Sequence, residues 1–375
     1  MNPRYPVFIP TKGRWNNLYT MRAFWRCGIP FYAVVEPQQL DDYRRAFDAE
    51  GIKPVEILVT PHRDEGLVPT RNFVWDFASA MGAERFWTFD DNIRGLFRYN
   101  RNLLVPCGDG TPLAVVEDFT ERYDNVVISG MNYFMFVSRK CLYPPFYFNA
   151  RVYSNMLLWT DYPDPRGFAY RNEMKRYNDD TDLNLRVLKD GNCTILFNAF
   201  LIDKLATMVV KGGMGYTRDE NDREKDSRYQ ATLELKEKHP DVTTITRKWG
   251  RWHHHVNYEP FRKNRLISRP GTDEIPEGEN EFGLQLEVNG EIVPKEIGLG
   301  REFLAKEADA KAAARKERAR ERGKEIRRRR PQQAPATEPV PAEVSPEERA
   351  AILERSRSAC DRVRDTELRR KEGFD

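Results

Sequence analysis

The sequence predicts an α/β fold built on a mostly parallel, doubly wound sheet, with a charged C-terminal tail that is helical or disordered. Three observations carry this. Short apolar runs alternate with helical-period segments from Val7 to Phe89, the connections between them are short, and the composition turns to Ala, Glu, Lys and Arg from about Glu302.

Taken in order, Val7-Phe8-Ile9 is a short apolar run stopped by Pro10, a buried-strand signal. Leu18, Met21, Phe24 and Trp25 recur at helical spacing, and Gly28 closes that helix. Phe31–Val35 reads as a second strand. Leu40, Tyr43 and Phe47 mark a second amphipathic helix ended by Gly51, and Val55–Val59 a third strand. Phe73, Val74, Phe77, Ala78 and Met81 share one helical face with Gly82 beyond it, and Phe86–Phe89 is the fourth strand. Open sheets of this kind bind ligands beyond the carboxyl ends of their strands.

The pattern then loosens. Leu103–Val116 reads as a hairpin turned by Asp109-Gly110, and two apolar runs flank Gly130. Residues 143–170 are aromatic and Pro-rich with little periodicity. Leu183, Val187 and Leu188 lie on a helix ending at Gly191, and Thr194–Phe197 follows as a strand. Domain boundaries are expected at 1–265 for a catalytic domain, 266–300 for its extension and 301–375 for the tail.

The 375 residues suffice for a real core. No apolar run approaches transmembrane length and the N-terminus has no signal-peptide pattern, so neither a membrane partner nor secretion is expected. The five cysteines are scattered and form no C-x-x-C pair, which points to a reducing cytoplasm. Residues 301–375 hold 21 Lys+Arg against 16 Asp+Glu, a balance of +5, and the remaining 40 bases and 42 acids give −2. A basic tail on a near-neutral body attracts a polyanion; the plainer alternative is a solvated, disordered segment. Arg327, Arg328, Arg329 and Arg330 are its densest basic run.

Asp90-Asp91-Asn92 closes the fourth strand. Two adjacent carboxylates are not buried without a partner, and at a strand end that partner is often a hard cation such as Mg²⁺ or Mn²⁺ bridging to a substrate's phosphates. Pro10, Thr11, Lys12 and Arg14 follow the first strand with amides, a hydroxyl and two cations suited to a ribose and diphosphate; an ordinary strand-to-helix turn would look the same. Glu36 ends the second strand, either as an acceptor for a base or ribose or as a solvated strand end. Arg71 and Asn72 are expected to begin the third helix, where an arginine opposes the helix dipole unless it faces an anion.

Asp179, Asp180 and Asp182 open the helix carrying Leu183. Acids suit a helix start, but three within four positions exceed what one cap needs, and the location favours the ionised form that a general base requires. Arg251, Trp252 and the run His253-His254-His255 offer imidazole ligands for a metal or, alternatively, phosphate contacts and stacking for nucleic acid.

In their order and spacing these segments resemble GT-A glycosyltransferases, especially the inverting family 2. The matching pieces are VFIPTKGR at 7–14, VVEP at 34–37, GLVPTRN at 66–72, WTFDDN at 87–92, ISG at 128–130 and NDDTDLNLRVLKDG at 178–191. The resemblance implies Asp180 as catalytic base, with Asp179 and Asp182 as alternatives, and Asp90, Asp91 and Asn92 as the metal and ribose motif. Asn92 departs from the family's Asp, which implies either weaker metal binding or Asp91 as main ligand with His253, His254 or His255 completing the shell; His253 and His255 are taken as the candidate pair. FNARVYSNMLLW at 148–159 and KWGRWHHHVNY at 248–258 are similar to phage glycosyltransferases associated with TET/JBP-type DNA hydroxylases. That likeness implies Mn²⁺ or Mg²⁺, a UDP-linked sugar donor, and double-stranded DNA carrying hydroxymethylated pyrimidines such as 5-hydroxymethylcytosine. A transferase acting on polysaccharide, lipid or protein, and a non-catalytic nucleic-acid binder on the same fold, are the alternatives.

Overall fold

The computed structural model describes residues 1–100, 103–137, 143–161, 170–171, 174, 178–205, 225–248 and 250–270. The Arg327–Arg330 run, the expected tail, the glycine-rich segment at 212–215 and Trp249 lie outside them.

The first half alternates as predicted: β1 (Val7–Pro10), α1 (Tyr19–Arg26), β2 (Tyr32–Val35), α2 (Leu40–Glu50), β3 (Glu56–Val59), α3 (Leu67–Ala80) and β4 (Arg85–Phe89). The four strands pair in the order β3-β2-β1-β4, all parallel. Period-two alternation divides their side chains between two cores. Val7, Ile9, Ala33, Val35, Trp87 and Phe89 pack with α1 and α2, whereas Phe8, Tyr32, Val34 and Phe86 pack with α3. Strands with both faces covered read as continuous apolar runs, which is why their sequences were conspicuous.

The second half is β5 (Ile93–Asn100), β6 (Leu103–Pro106), α4 (Thr111–Glu121), β7 (Val126–Tyr133), β8 (Phe146–Phe148), β9 (Asn155–Trp159), α5 (Asp179–Lys189) and β10 (Cys193–Lys204). It extends the sheet as β4-β9-β7-β10-β5-β6, with β8 also on β10. β7 and β10 continue the parallel direction, while β9, β5 and β8 run against it. α4 joins the first core and α5 the second. Beyond them α6 (Ser227–Lys238) packs on an antiparallel ribbon of β11 (Thr243–Lys248) and β12 (Arg251–Val256). The chain then returns to the body, where the Ile267 amide donates to Asn125 Oδ1 at 2.9 Å and the Arg269 amide to the Arg122 carbonyl at 2.8 Å. Among the described residues no helix is long and apolar enough to cross a membrane.

Three expectations are corrected. Leu103–Val116 is not a hairpin: Leu103–Pro106 pairs backward with β5, and Asp109-Gly110 precedes α4. Asp109 Oδ1 accepts from the Thr111 amide at 3.0 Å, satisfying a helix-start donor, and Leu113, Val116 and Thr120 then bury at helical spacing. The helix carrying Arg71 starts at Leu67 after Gly66, whose φ of 96° suits only glycine, so Arg71 lies a full turn inside the helix and is buried. Of the two runs around Gly130, Val126–Ser129 continues through the glycine as one strand, β7, which ends at Tyr133, while the rest of the second run, 134–137, leaves the strand as a turn.

Gly130 is required because β7 and the chain entering β9 approach closely there. A Cβ would collide with the Asn155 carbonyl oxygen and sit 2.5 Å from Val152 Cγ1. Gly130→Ala is expected to lower unfolding stability by roughly 1–3 kcal/mol, measured by denaturant titration; an unchanged midpoint would show that the two segments part easily.

Candidate active site

The carboxyl ends of β1, β2 and β4, the start of α5 and the far end of β10 meet in one charged cluster. Asp91 Oδ2 accepts from Thr11 Oγ1 at 2.8 Å, and Arg14 donates to Asp91 Oδ1. Thr11 Oγ1 also meets the Tyr43 hydroxyl at 2.7 Å. Burial pushes the Asp91 carboxyl up, with Arg14 and Thr11 opposing. Three amides of the turn are already used: Thr11 donates to the Val34 carbonyl, Gly13 to Gln39 Oε1 and Arg14 to the Tyr43 hydroxyl. The turn therefore offers a ligand its two cations rather than an amide cradle, and Pro10 serves as the end of β1. Lys12 Nζ sits 2.9 Å from Glu36 Oε1 and 2.6 Å from Asp64. Glu36 is buried and also accepts from Gln38 Nε2 and the Asp64 amide.

Asp90 faces the other way along the cleft. Lys204 Nζ, at the end of β10, donates to its Oδ2 at 2.5 Å, and Arg71 lies 3.5 Å from Oδ1. Burial raises Asp90, but the two cations outweigh it and hold the carboxyl below its ordinary range. Lys204 also donates to Ser154 Oγ at 2.6 Å and the Tyr133 hydroxyl at 3.2 Å, so its three hydrogens are matched.

Arg71 continues to Asp179 at the first position of α5, and its guanidinium stacks over the Tyr170 ring at 5.2 Å. Asn72, expected in the donor site, instead braces Tyr170: its side-chain amide exchanges two hydrogen bonds with that backbone, at 3.0 and 2.7 Å.

The three acids of α5 project in three directions, because successive helical residues rotate by about 100°. Asp179 is raised by burial and by the neighbouring Asp180 charge despite Arg71. Asp180 is raised by burial and lowered more by Arg151 and Arg71, leaving it below the ordinary carboxylate range. Arg151 donates to Asp180 Oδ2 at 3.3 Å, and the Thr181 amide donates to Oδ1 at 2.6 Å. Asp182 is turned into the interior, 1% exposed, against Arg186, Arg171 and His239 at 3.0, 3.1 and 2.9 Å. A carboxylate so enclosed holds α5 to α6 and is removed from the set that can meet an acceptor.

The histidines also separate. Strand alternation puts Trp252, His254 and Val256 on one face of β12 and His253 and His255 on the other. His254, rather than His253 or His255, approaches the site, with Nε2 3.0 Å from Arg151. Arginine only donates, so Nε2 is the acceptor and the proton sits on Nδ1. Burial and the nearby Arg151 push His254 down to about 4, which keeps it neutral. Trp252 packs on Tyr229 of α6 at 5.0 Å and under Arg247 at 5.5 Å, while Arg251 is exposed.

Among the described residues no three His, Cys, Asp or Glu side chains converge as a metal cage. Mg²⁺ and Mn²⁺ at nucleotide sites need only one or two protein oxygens, the phosphates completing the shell. On that measure the strand end fits: Asn92 Oδ1 is buried with no hydrogen-bond partner while its nitrogen donates to the Leu205 carbonyl, and Thr11 leaves a lone pair on Asp91 Oδ2.

A family model described as TET-Associated Glycosyltransferase matches residues 5–213, more than half of the chain. The chain belongs to that family. The charged cleft lies almost wholly inside the matched segment, with only His254 beyond it. No curated protein matches the chain. Among solved structures, S. aureus TarS 1–349 is similar at 8% identity and a TM-score of 0.38, and the same protein in complex with UDP at 9% and 0.34. Each match covers 62% of this chain and 65%, just under two thirds, of that one.

Sequence reading missed Lys204, Arg151, Ser154 and Tyr133. Their one signal was charge or hydroxyl at strand ends and beside the aromatic FNARVYSN run. Arg151→Met removes the larger of the two cationic effects that lower Asp180, so the acid limb of the kcat/KM profile is expected to move up by roughly 1–3 pH units. A limb that stays in place would separate Arg151 from the ionisation of Asp180.

Proposed function

We propose that this glycosyltransferase moves a sugar from a UDP-linked donor to the hydroxyl of a hydroxymethylated pyrimidine in double-stranded DNA, with Asp180 as general base. The observation that carries the reading is the pairing of an ionised, cation-tuned Asp180 with a strand-end motif, Asp90-Asp91-Asn92, in one cleft. The acceptor oxygen forms the new bond to the anomeric carbon as the bond from that carbon to the diphosphate oxygen breaks. Its electron pair leaves on the diphosphate, and the acceptor proton passes to Asp180. Attack opposite the leaving group inverts the anomeric configuration.

We assign Lys12, Arg14 and Arg71 to the diphosphate, and Glu36, whose oxygens accept here from Lys12, Gln38 and the Asp64 amide, to the uracil base or the ribose. Mn²⁺ or Mg²⁺, held by Asp91 and Asn92, would add charge neutralisation at the leaving diphosphate. The DNA acceptor is supported by the family's description and by the basic composition of residues 301–375.

Mass spectrometry of hydroxymethylated duplex DNA incubated with a panel of nucleotide sugars is expected to show one hexose added per modified base with a UDP donor. Asp180→Asn should reduce transfer by about 10²–10⁴-fold. Wild-type turnover by that variant would sink the base assignment, and transfer only to non-DNA acceptors would sink the acceptor. For the metal, calorimetry of UDP binding is expected to show tighter binding with Mn²⁺ in the wild type and no such gain in Asp91→Ala; a gain that survives the substitution would place the ion elsewhere.

A further inference from the structure

An aromatic ladder leaves the cleft beside Lys204 and ends on the surface. Arg151, which holds Asp180, lies over the Tyr153 ring at 4.6 Å. Tyr153 meets Tyr133 edge to face at 4.6 Å. Tyr133 bonds Ser154 and Lys204 and stacks on Phe136, with centroids 5.3 Å apart and planes at 22°. Phe136 is 54% exposed and Met135 beside it 50%. Single exposed apolar residues need no explanation, but two adjacent ones at the end of a stack that starts at a catalytic cleft do.

The backbone that carries the ring is also held in place. The Phe136 amide donates to the Tyr133 carbonyl at 3.0 Å, and its carbonyl accepts from the Tyr143 hydroxyl at 3.3 Å. A parallel second stack, Phe97 on Phe134 at 5.7 Å and 24°, supports the same segment. Near-parallel stacking with a fixed, open ring face suits a flat π-system better than an aliphatic or peptide partner.

We propose that Phe136 and Tyr133 form a stacking platform for a nucleobase of the acceptor, with the target pyrimidine taken out of the duplex so that its hydroxymethyl group reaches Asp180. This rests on the DNA-acceptor reading above. A hydroxyl on a base inside a duplex cannot reach a carboxylate buried in a cleft, and an unstacked base must recover its lost stacking on the protein. The ladder supplies that surface at the cleft mouth, running past the Lys204–Asp90 and Arg151–Asp180 ion pairs.

The test compares Phe136→Leu and Phe136→Tyr with wild type on hydroxymethylated duplex DNA, with thermal melting to confirm the fold. Leucine keeps the apolar volume and loses the ring; KM for DNA is expected to rise about ten-fold or more with kcat little changed, and tyrosine to restore it. Leucine matching wild type on DNA would overturn the platform and leave the DNA acceptor standing. Wild-type enzyme that glycosylates another acceptor but no DNA would overturn both.

Discussion

The site is organised around one buried guanidinium. Arg71 is the group through which the strand-end motif and the start of α5 are connected: it bonds Asp179, lies 3.5 Å from Asp90, and acts at a distance on Asp180. Carboxylates from β4 and α5 cannot be brought together under a protein surface without a cation between them, since each would raise the cost of ionising the other. Burial disfavours the charge on Arg71, yet the surrounding acids raise its pKa, so it stays protonated throughout. Its place inside α3, rather than at the helix start, is what allows this. From a second-turn position the side chain crosses beneath the cleft instead of pointing into solvent, and Tyr170 covers its face.

The same logic repeats outward. Arg14 accompanies Asp91, Lys204 accompanies Asp90, and Arg151 accompanies Asp180. Each cation comes from a different element, so the cleft is assembled by ion pairs between segments distant in sequence. Breaking one such pair leaves a buried charge without its partner, which costs far more than an exposed pair is worth. The polar cluster therefore fixes how β10, α5 and the segment before β9 meet the parallel sheet.

How much of this was legible follows from the same distinction. β1, β2 and β4 announced themselves because both faces are buried and few polar residues interrupt them. Asp90-Asp91 and the acids at 179–182 were visible because charge clusters are rare at strand ends and dense at helix starts. Lys204 and Arg151 were not, because a lone cation in an apolar strand or an aromatic loop looks like any surface residue until its acid is found elsewhere in the chain. Direction was hidden too. Nothing in Asp179-Asp180-Thr181-Asp182 reveals that a rotation of about 100° per residue sends Asp182 to His239 and leaves Asp180 at the cleft. In His253-His254-His255 the two-residue period turns the middle ring to the site, a choice that depends on which face of β12 meets the body. The hairpin expected at 103–116 failed for a local reason, since Asp-Gly serves a tight turn and a helix entry equally well.

The neighbouring Asp179 and Asp180 divide a task that neither could perform alone. Two buried carboxylates in contact range titrate as a pair, and their surroundings decide which one carries the charge. Arg151 approaches only Asp180, whereas Asp179 is more deeply enclosed and is raised by the Asp180 charge. The negative charge therefore concentrates on the residue nearer the cleft mouth. His254 preserves that bias: as a neutral acceptor it occupies a second donor of Arg151 and orients the guanidinium without adding a competing positive charge. A protonated histidine there would repel Arg151 and loosen its hold on Asp180. The same guanidinium thus contributes to both states: it adds to burial, the larger cause, in keeping His254 neutral, and with Arg71 it holds Asp180 ionised.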